Sequence, residues 1–208
     1  MILGIDHVAI NTRNINKYEK ILLKDNYKCL FKEKIFNNVN KNTFLKEYSE
    51  YHSIAYYESL KNYFPIELTK HGNDITNKKT PISFEQNTIT IKTEDIDQEK
   101  SLWIKLLGME KTNEKRISFS SILPNRNFDL IFTSVKNNIP YTLDTEGPTC
   151  IALITNNIDK MILSMNGMGL YKFIGPWESK VNNKKLIIAM FKTIGGIIVE
   201  LIQVERKL

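Results

Sequence analysis

The chain says nearly the same thing three times. Ile5 to Ile15, Thr88 to Ile96 and Cys150 to Ile158 each run from a short alternating apolar stretch, through Thr or Asn and a capping residue (Asn14, Asp95 or Asn157), to an isoleucine that opens a helical pattern. With His7, Thr88 and Cys150 set level, Ile15, Ile96 and Ile158 each fall eight places further on. An internal repeat constrains the fold more than any local propensity, because each unit has to bury its apolar face against a neighbour. A second landmark follows each copy: Ile66-Glu67-Leu68, Phe128-Asp129-Leu130 and Val199-Glu200-Leu201. In a strand, alternation turns the acid to the opposite face from its apolar flanks. One carboxylate per unit is therefore expected to point into a shared concavity.

Three units follow, at 1–80, 81–146 and 147–208, each reading strand, helix, three strands, with units two and three expected to pair as one domain. In the first, Ile15, Tyr18 and Leu22 recur at helical spacing after Asn14. A strand is expected at Tyr27 to Ile35 and a turn at Asn37 to Asn42; Phe44 to Glu47 and Ser53 to Tyr57 are candidates for paired strands, and Asn62 to Leu68 closes the unit. In the second, Ile96 to Leu107 is helical and Gly108 supplies a left-handed C-cap. Its strands are Thr88 to Lys92, Met109 to Lys111, Ile117 to Ile122 and Phe128 to Phe132. In the third, Thr149 to Thr155 is a strand and Ile158 to Met165 a helix ended by Gly167-Met168-Gly169. Leu170 to Gly175 is a strand, Pro176 to Lys184 a loop carrying Trp177 at the cavity mouth, and Gly195-Gly196 a tight turn before the last strand. The tail from Glu205 is expected to fray.

Composition narrows the function classes. Hydrophobic residues at 42% and charged residues at 25% of 208 are those of a globular protein. No apolar run approaches the roughly 20 residues needed to span a bilayer, and Met1 to Ile5 meets Asp6 and Asn11 too soon for a signal peptide. Two cysteines, Cys29 and Cys150, give neither a disulfide framework nor a paired-cysteine zinc motif, so a cytoplasmic location is expected. The net charge of +6 is spread along the chain and argues against nucleic acid as a partner.

Asp6-His7-Val8-Ala9-Ile10, Leu106-Leu107-Gly108-Met109 and Gly195-Gly196-Ile197-Ile198-Val199-Glu200-Leu201-Ile202, in this order within repeated units, resemble the vicinal oxygen chelate superfamily. This is the glyoxalase, bleomycin-resistance and extradiol-dioxygenase group, and the closing motif looks most like methylmalonyl-CoA epimerases and lactoylglutathione lyases. The resemblance implies an α+β fold in which βαβββ units curl mixed sheets around a cup. It also implies a divalent metal (Zn, Ni, Co or Mn), no nucleotide cofactor, and side chains from the first and last strands of two paired units around the ion. Carried over by position, the first-strand places are His7, Thr88 and Cys150, and the last-strand places are Glu67, Asp129 and Glu200.

His7 and Glu67 are then the candidate metal ligands and Glu200 the candidate catalytic base. Thr88, Thr90, Asp129, Cys150 and Trp177 are the candidate ligand-binding residues. Which four places meet depends on pairing. Units two and three would bring together Thr88, Asp129, Cys150 and Glu200. Units one and two would gather His7, Glu67, Thr88 and Asp129, and units one and three His7, Glu67, Cys150 and Glu200. The odd unit count also raises a homodimer in which unit one pairs with its own copy. The implied activity is a metal-assisted isomerase or lyase that abstracts a proton from a small carbonyl acid or thioester. The alternative is a non-catalytic protein of the bleomycin-resistance type that holds a small molecule in the same cup.

Overall fold

The computed structural model describes residues 1–36, 38–72, 79–109, 115–165 and 171–204. Unit one runs β1 (Ile2–Asn11), α1 (Ile15–Lys24), β2 (Tyr27–Phe36), a 3-10 helix (Asn38–Phe44), β3 (Tyr51–Ser59) and β4 (Ile66–His71). Unit two runs β5 (Ile82–Glu85), β6 (Thr88–Thr93), α2 (Ile96–Leu107), β7 (Arg116–Phe119) and β8 (Phe128–Ser134). Unit three runs β9 (Gly147–Thr155), α3 (Ile158–Met165), β10 (Tyr171–Val181), β11 (Lys184–Lys192) and β12 (Ile198–Val204).

The helices start and stop where the capping chemistry says they should. Asn14 accepts the Lys17 backbone N–H at 3.0 Å, and Asp95 accepts that of Gln98 at 2.9 Å. Gly108 closes α2 at φ +67°, a conformation that costs a residue without Cβ little. In units one and three the first and last strands are parallel, β1 with β4 and β9 with β12. Parallel neighbours cannot be joined by a hairpin, so the helix and two antiparallel strands make the crossover.

The eight-stranded sheet has the order β10-β11-β12-β9-β1-β4-β3-β2, and its two halves meet where β1 pairs antiparallel with β9. Units one and three therefore share the sheet, in place of the expected pairing of units two and three. Unit two forms a separate sheet, β5-β6-β8-β7. The physical reason lies in β5, a strand the sequence did not announce. It pairs with β6 and takes the edge that β6 would need to meet β9, whereas β1 keeps that edge open. Unit one thus finds its partner inside the chain, and a self-pairing of unit one across a dimer is not needed to build the cup.

Two further expectations are corrected. Pro176 to Val181 is strand rather than loop, since β10 is the outermost strand, where a proline's missing N–H costs the ladder nothing. It turns into β11 through Asn182 and Asn183, both at positive φ. Asn38–Phe44 is a 3-10 helix, and no strand forms over 44–47. Parts of the expected strand at Met109 to Lys111, the stop at Gly167 to Gly169 and the tail from Glu205 lie outside the described residues.

One apolar cluster runs through all three units, from Ile5 and Ile66 through Trp103 and Phe128 to Leu153 and Leu201. The chain is thus α+β, with repeated units curling a mixed sheet around a cup. Among the described residues, no helix is long and apolar enough to cross a membrane.

Candidate functional site

The concave side of the eight-stranded sheet encloses a cavity of about 530 Å³ between units one and three. That is the size range of small-molecule pockets. Strand register brings the repeated acids to its floor. Glu67 lies opposite Ala9 and Glu200 opposite Ala152, two places beyond His7 and Cys150 respectively, so those two residues are equivalent, as their levelling in the sequence implied. In unit two, Asp129 lies opposite Thr88 itself, two residues out of step.

His7 sits between two carboxylates. Its Nδ1 is 2.8 Å from Asp6 Oδ2 and its Nε2 is 3.5 Å from Glu67 Oε1, with the ring buried. Burial alone would lower the imidazole's pKa. Glu67 and Asp6, with Glu200 further off, outweigh it and raise it to about 9, so His7 is an imidazolium at neutral pH. Asp6 is held below the usual carboxylate range, because its bond to His7 and the charges of His7 and Arg126 overcome its burial. Glu67 is pushed up by burial, which His7 and Lys41 only partly offset.

Lys41 was not singled out in the sequence, yet its ammonium is on this floor. Nζ lies 3.5 Å from Glu200 Oε1, and the side chain is 16% exposed. The 3-10 helix explains its direction: residues three apart eclipse one another in that geometry, and Phe44, three residues on, is fully buried. The turn is pinned further by the Leu143 N–H, which donates to the Phe44 carbonyl at 2.8 Å. Although burial opposes its charge, Glu200, Glu67 and Cys150 raise the pKa of Lys41 above its ordinary value.

Unit two contributes to the cup by reaching across from outside. At Gly4 a Cβ would stand 2.5 Å from Ser121 Oγ and 2.6 Å from Arg126 Cβ, so only glycine lets the 121–126 loop lie against β1. Arg126 Nη1 then donates to the Asp6 carbonyl at 2.9 Å and Nη2 to Glu58 Oε1 at 3.1 Å. Tyr56 OH donates to the same Asp6 carbonyl at 3.0 Å and stacks on Phe31 at 5.4 Å between ring centroids. Above the floor the lining mixes apolar side chains, Phe31, Ile54, Trp177, Ile188 and Ile202, with charged ones that include Glu33, Lys34, Glu178 and Lys180.

Trp177 therefore lines the cup, from a strand and not a loop. Cys150 is buried close beneath, and its thiol is pushed well above its usual value by burial and by Glu200. Thr88, Thr90 and Asp129 do not reach the cup; they belong to the four-stranded sheet, where Asp129 is paired with Arg116. They were expected at the ligand because units two and three were expected to pair. His52 and His71 stack at 4.5 Å beside the floor. Burial keeps both rings neutral, pushing His52 well down and His71 to about 3.

The residues at the metal positions that the resemblance implies do not fit a divalent ion. Among the described residues no three His, Cys, Asp or Glu side chains are grouped to hold one. The geometry gives the reason: Glu67 faces His7, Glu200 faces Lys41, and Cys150 is a protonated thiol. A divalent ion here would displace or repel an ammonium that already serves the same carboxylates.

No protein-family profile matches the chain, and no curated protein matches it. Solved structures do resemble it. A methylmalonyl-CoA epimerase from Mycobacterium tuberculosis is 13% identical over 99% of this chain and 91% of that one, with a TM-score of 0.49. A hypothetical protein from Bacillus halodurans is 13% identical over 98% and 96%, at 0.47. Glyoxalase I from Zea mays is 16% identical over 96% and 67%, at 0.40. Likenesses this distant carry no argument about activity.

Proposed function

We propose that this protein binds a small organic molecule in the cup between its first and third units and holds it without covalent chemistry, in the manner of a sequestering protein. The observation that carries the reading is the cup itself: a cavity of about 530 Å³ in which apolar side chains, Phe31, Ile54, Trp177, Ile188 and Ile202, stand among charged ones over a buried polar floor. The apolar side chains would take up the body of a ligand and the polar ones orient it. Both halves of the cup come from one chain, so a homodimer is not required for binding.

Acetophenone, benzoate, benzamide and benzylamine, titrated against the protein by ligand-observed NMR, test the reading. An Ile202→Trp variant, which fills the cup, serves as the control. The expected result is binding of at least one compound to the unmodified protein and loss of that binding in the variant. Equal binding to both, or to neither, would discard the proposal.

Metal-assisted isomerisation or lysis, the activity the family resemblance implies, requires a donor set that the floor residues do not offer. Proton transfer without a metal is the second reading. It is favoured by Glu200, a carboxylate on the cup floor with an ammonium 3.5 Å away that could face a developing oxyanion. Its signature is solvent deuterium entering the acidic carbon of a 2-methyl-3-oxo thioester, lost in Glu200→Gln.

A further inference from the structure

We infer that Lys41 is a resident cation that takes the place of a divalent ion in the cup floor, excludes such an ion, and anchors the acceptor oxygen of the bound molecule. The second half of this inference rests on the small-molecule reading above; the first half does not.

The floor has one layer that the repeat supplies and one that it does not. Equivalent positions of units one and three provide His7, Cys150, Glu67 and Glu200. Lys41 comes instead from the 3-10 helix between β2 and β3, for which unit three has only the two-residue turn Asn182-Asn183. It stands where the charges of Glu200 and Glu67 bear on it, close to the buried Cys150 thiol and to the neutral His52 and His71 rings. His7 and Lys41 face three carboxylates, Asp6, Glu67 and Glu200, and the charges of Arg126 and Lys184 also bear on Asp6. Each carboxylate is thereby engaged, and a divalent ion would have to be bought by breaking at least two of these pairs.

An ammonium has three N–H donors. Among the described residues, the carboxylate contact of Lys41, at 3.5 Å to Glu200, is longer than a normal charged hydrogen bond, and the side chain lines the cavity. Donor capacity is therefore left for a ligand. An oxygen acceptor, whether a carbonyl or a carboxylate, suits that position, with the apolar body of the molecule lying against Ile54, Trp177 and Ile202. An amine would meet the ammonium as a like charge.

Cobalt(II) titration, followed by calorimetry and visible absorption, tests the exclusion. The unmodified protein and Lys41→Arg should take up no stoichiometric metal. Lys41→Met should take up one equivalent at least a hundredfold more tightly than the unmodified protein, and Lys41→Met/Glu200→Gln should lose that gain. One equivalent on the unmodified protein that His7→Ala abolishes would overturn the inference, as would a folded Lys41→Met that binds no better than its parent. Should Lys41→Met fail to fold, the double variant, which removes both members of the pair, is expected to fold; its failure too would overturn the pairing.

Acetophenone, benzoate and benzylamine test the anchor. The oxygen acceptors should bind at least tenfold more tightly than the amine, and the double variant should weaken them about tenfold. Benzylamine binding as well as benzoate and acetophenone, or acceptor binding untouched in the double variant, would refute the anchoring role. Absence of binding by all three, with the metal results as expected, would defeat the small-molecule reading and leave the resident cation standing.

Discussion

His7 carries a proton in the folded protein that it gives up readily when unfolded, and stability must therefore depend on pH. Its pKa rises from 6.5 to about 9 in the structure. Between those values the folded state holds one more proton than the unfolded state, so stability falls as pH increases, by about 1.4 kcal/mol per pH unit. Across the window the contribution of this group is about 3 kcal/mol, fully present below pH 6.5 and lost as pH passes through 9. The source is the pair of carboxylates, Asp6 at 2.8 Å and Glu67 at 3.5 Å, acting on a ring shielded from water. Urea unfolding at pH 6, 7, 8 and 9, run in parallel on the unmodified protein and His7→Gln, isolates the effect, because every other titrating group is common to both. The difference in unfolding free energy should shrink by about 3 kcal/mol from pH 6 to pH 9. A difference that stays constant would mean that His7 is neutral when folded, and the charge count of the cup floor would be wrong.

Gly4→Ala should cost about 1–3 kcal/mol in urea unfolding, because the new Cβ would meet Ser121 Oγ at 2.5 Å and Arg126 Cβ at 2.6 Å; a neutral result would mean the 121–126 loop does not lie on β1. Glu99 is buried, with its carboxyl accepting from Trp103 Nε1 at 2.8 Å and from the Gly195 N–H at 2.7 Å. Glu99→Ala should leave those donors unsatisfied at a cost of about 3 kcal/mol, read as a lowered urea midpoint, while an unchanged midpoint would deny the tie between α2 and the turn before β12. Trp177 lines the cup and Trp103 is fully buried in the core. A ligand in the cup should therefore change tryptophan emission in the unmodified protein and leave it unchanged in Trp177→Phe; a response that survives the substitution would put the ligand elsewhere.

What the sequence made legible is what local chemistry determines. The helix Ile96–Leu107 was readable to the residue because Asp95 caps one end and Gly108 the other, and the repeated acids located Glu67 and Glu200 because alternation fixes a side chain's face. The pairing of units was not readable, since it turns on whether the edge of β6 is free, and Ile82–Glu85 is too short and mixed a segment to announce a strand. Lys41 was hidden for a different reason. A lysine among asparagines looks like solvated surface, and only the 3-10 spacing to Phe44 turns it inward; that Lys-x-x-Phe spacing was the one available signal. Arg126 was hidden because its place depends on the absence of a side chain at Gly4 on another unit.

These failures share a cause that bears on function. Repetition produces a symmetric floor, with equivalent carboxylates facing one another from two units, and like charges so placed demand a cation between them. The repeat itself offers only His7, since Cys150 holds the equivalent place. The missing positive charge has to arrive from segments that are not repeated, and in this chain it does, through Lys41 from the 3-10 helix and Arg126 from the unpaired unit. The repeated residues thus set the shape of the cup, while the unrepeated ones set the balance of charge on its floor.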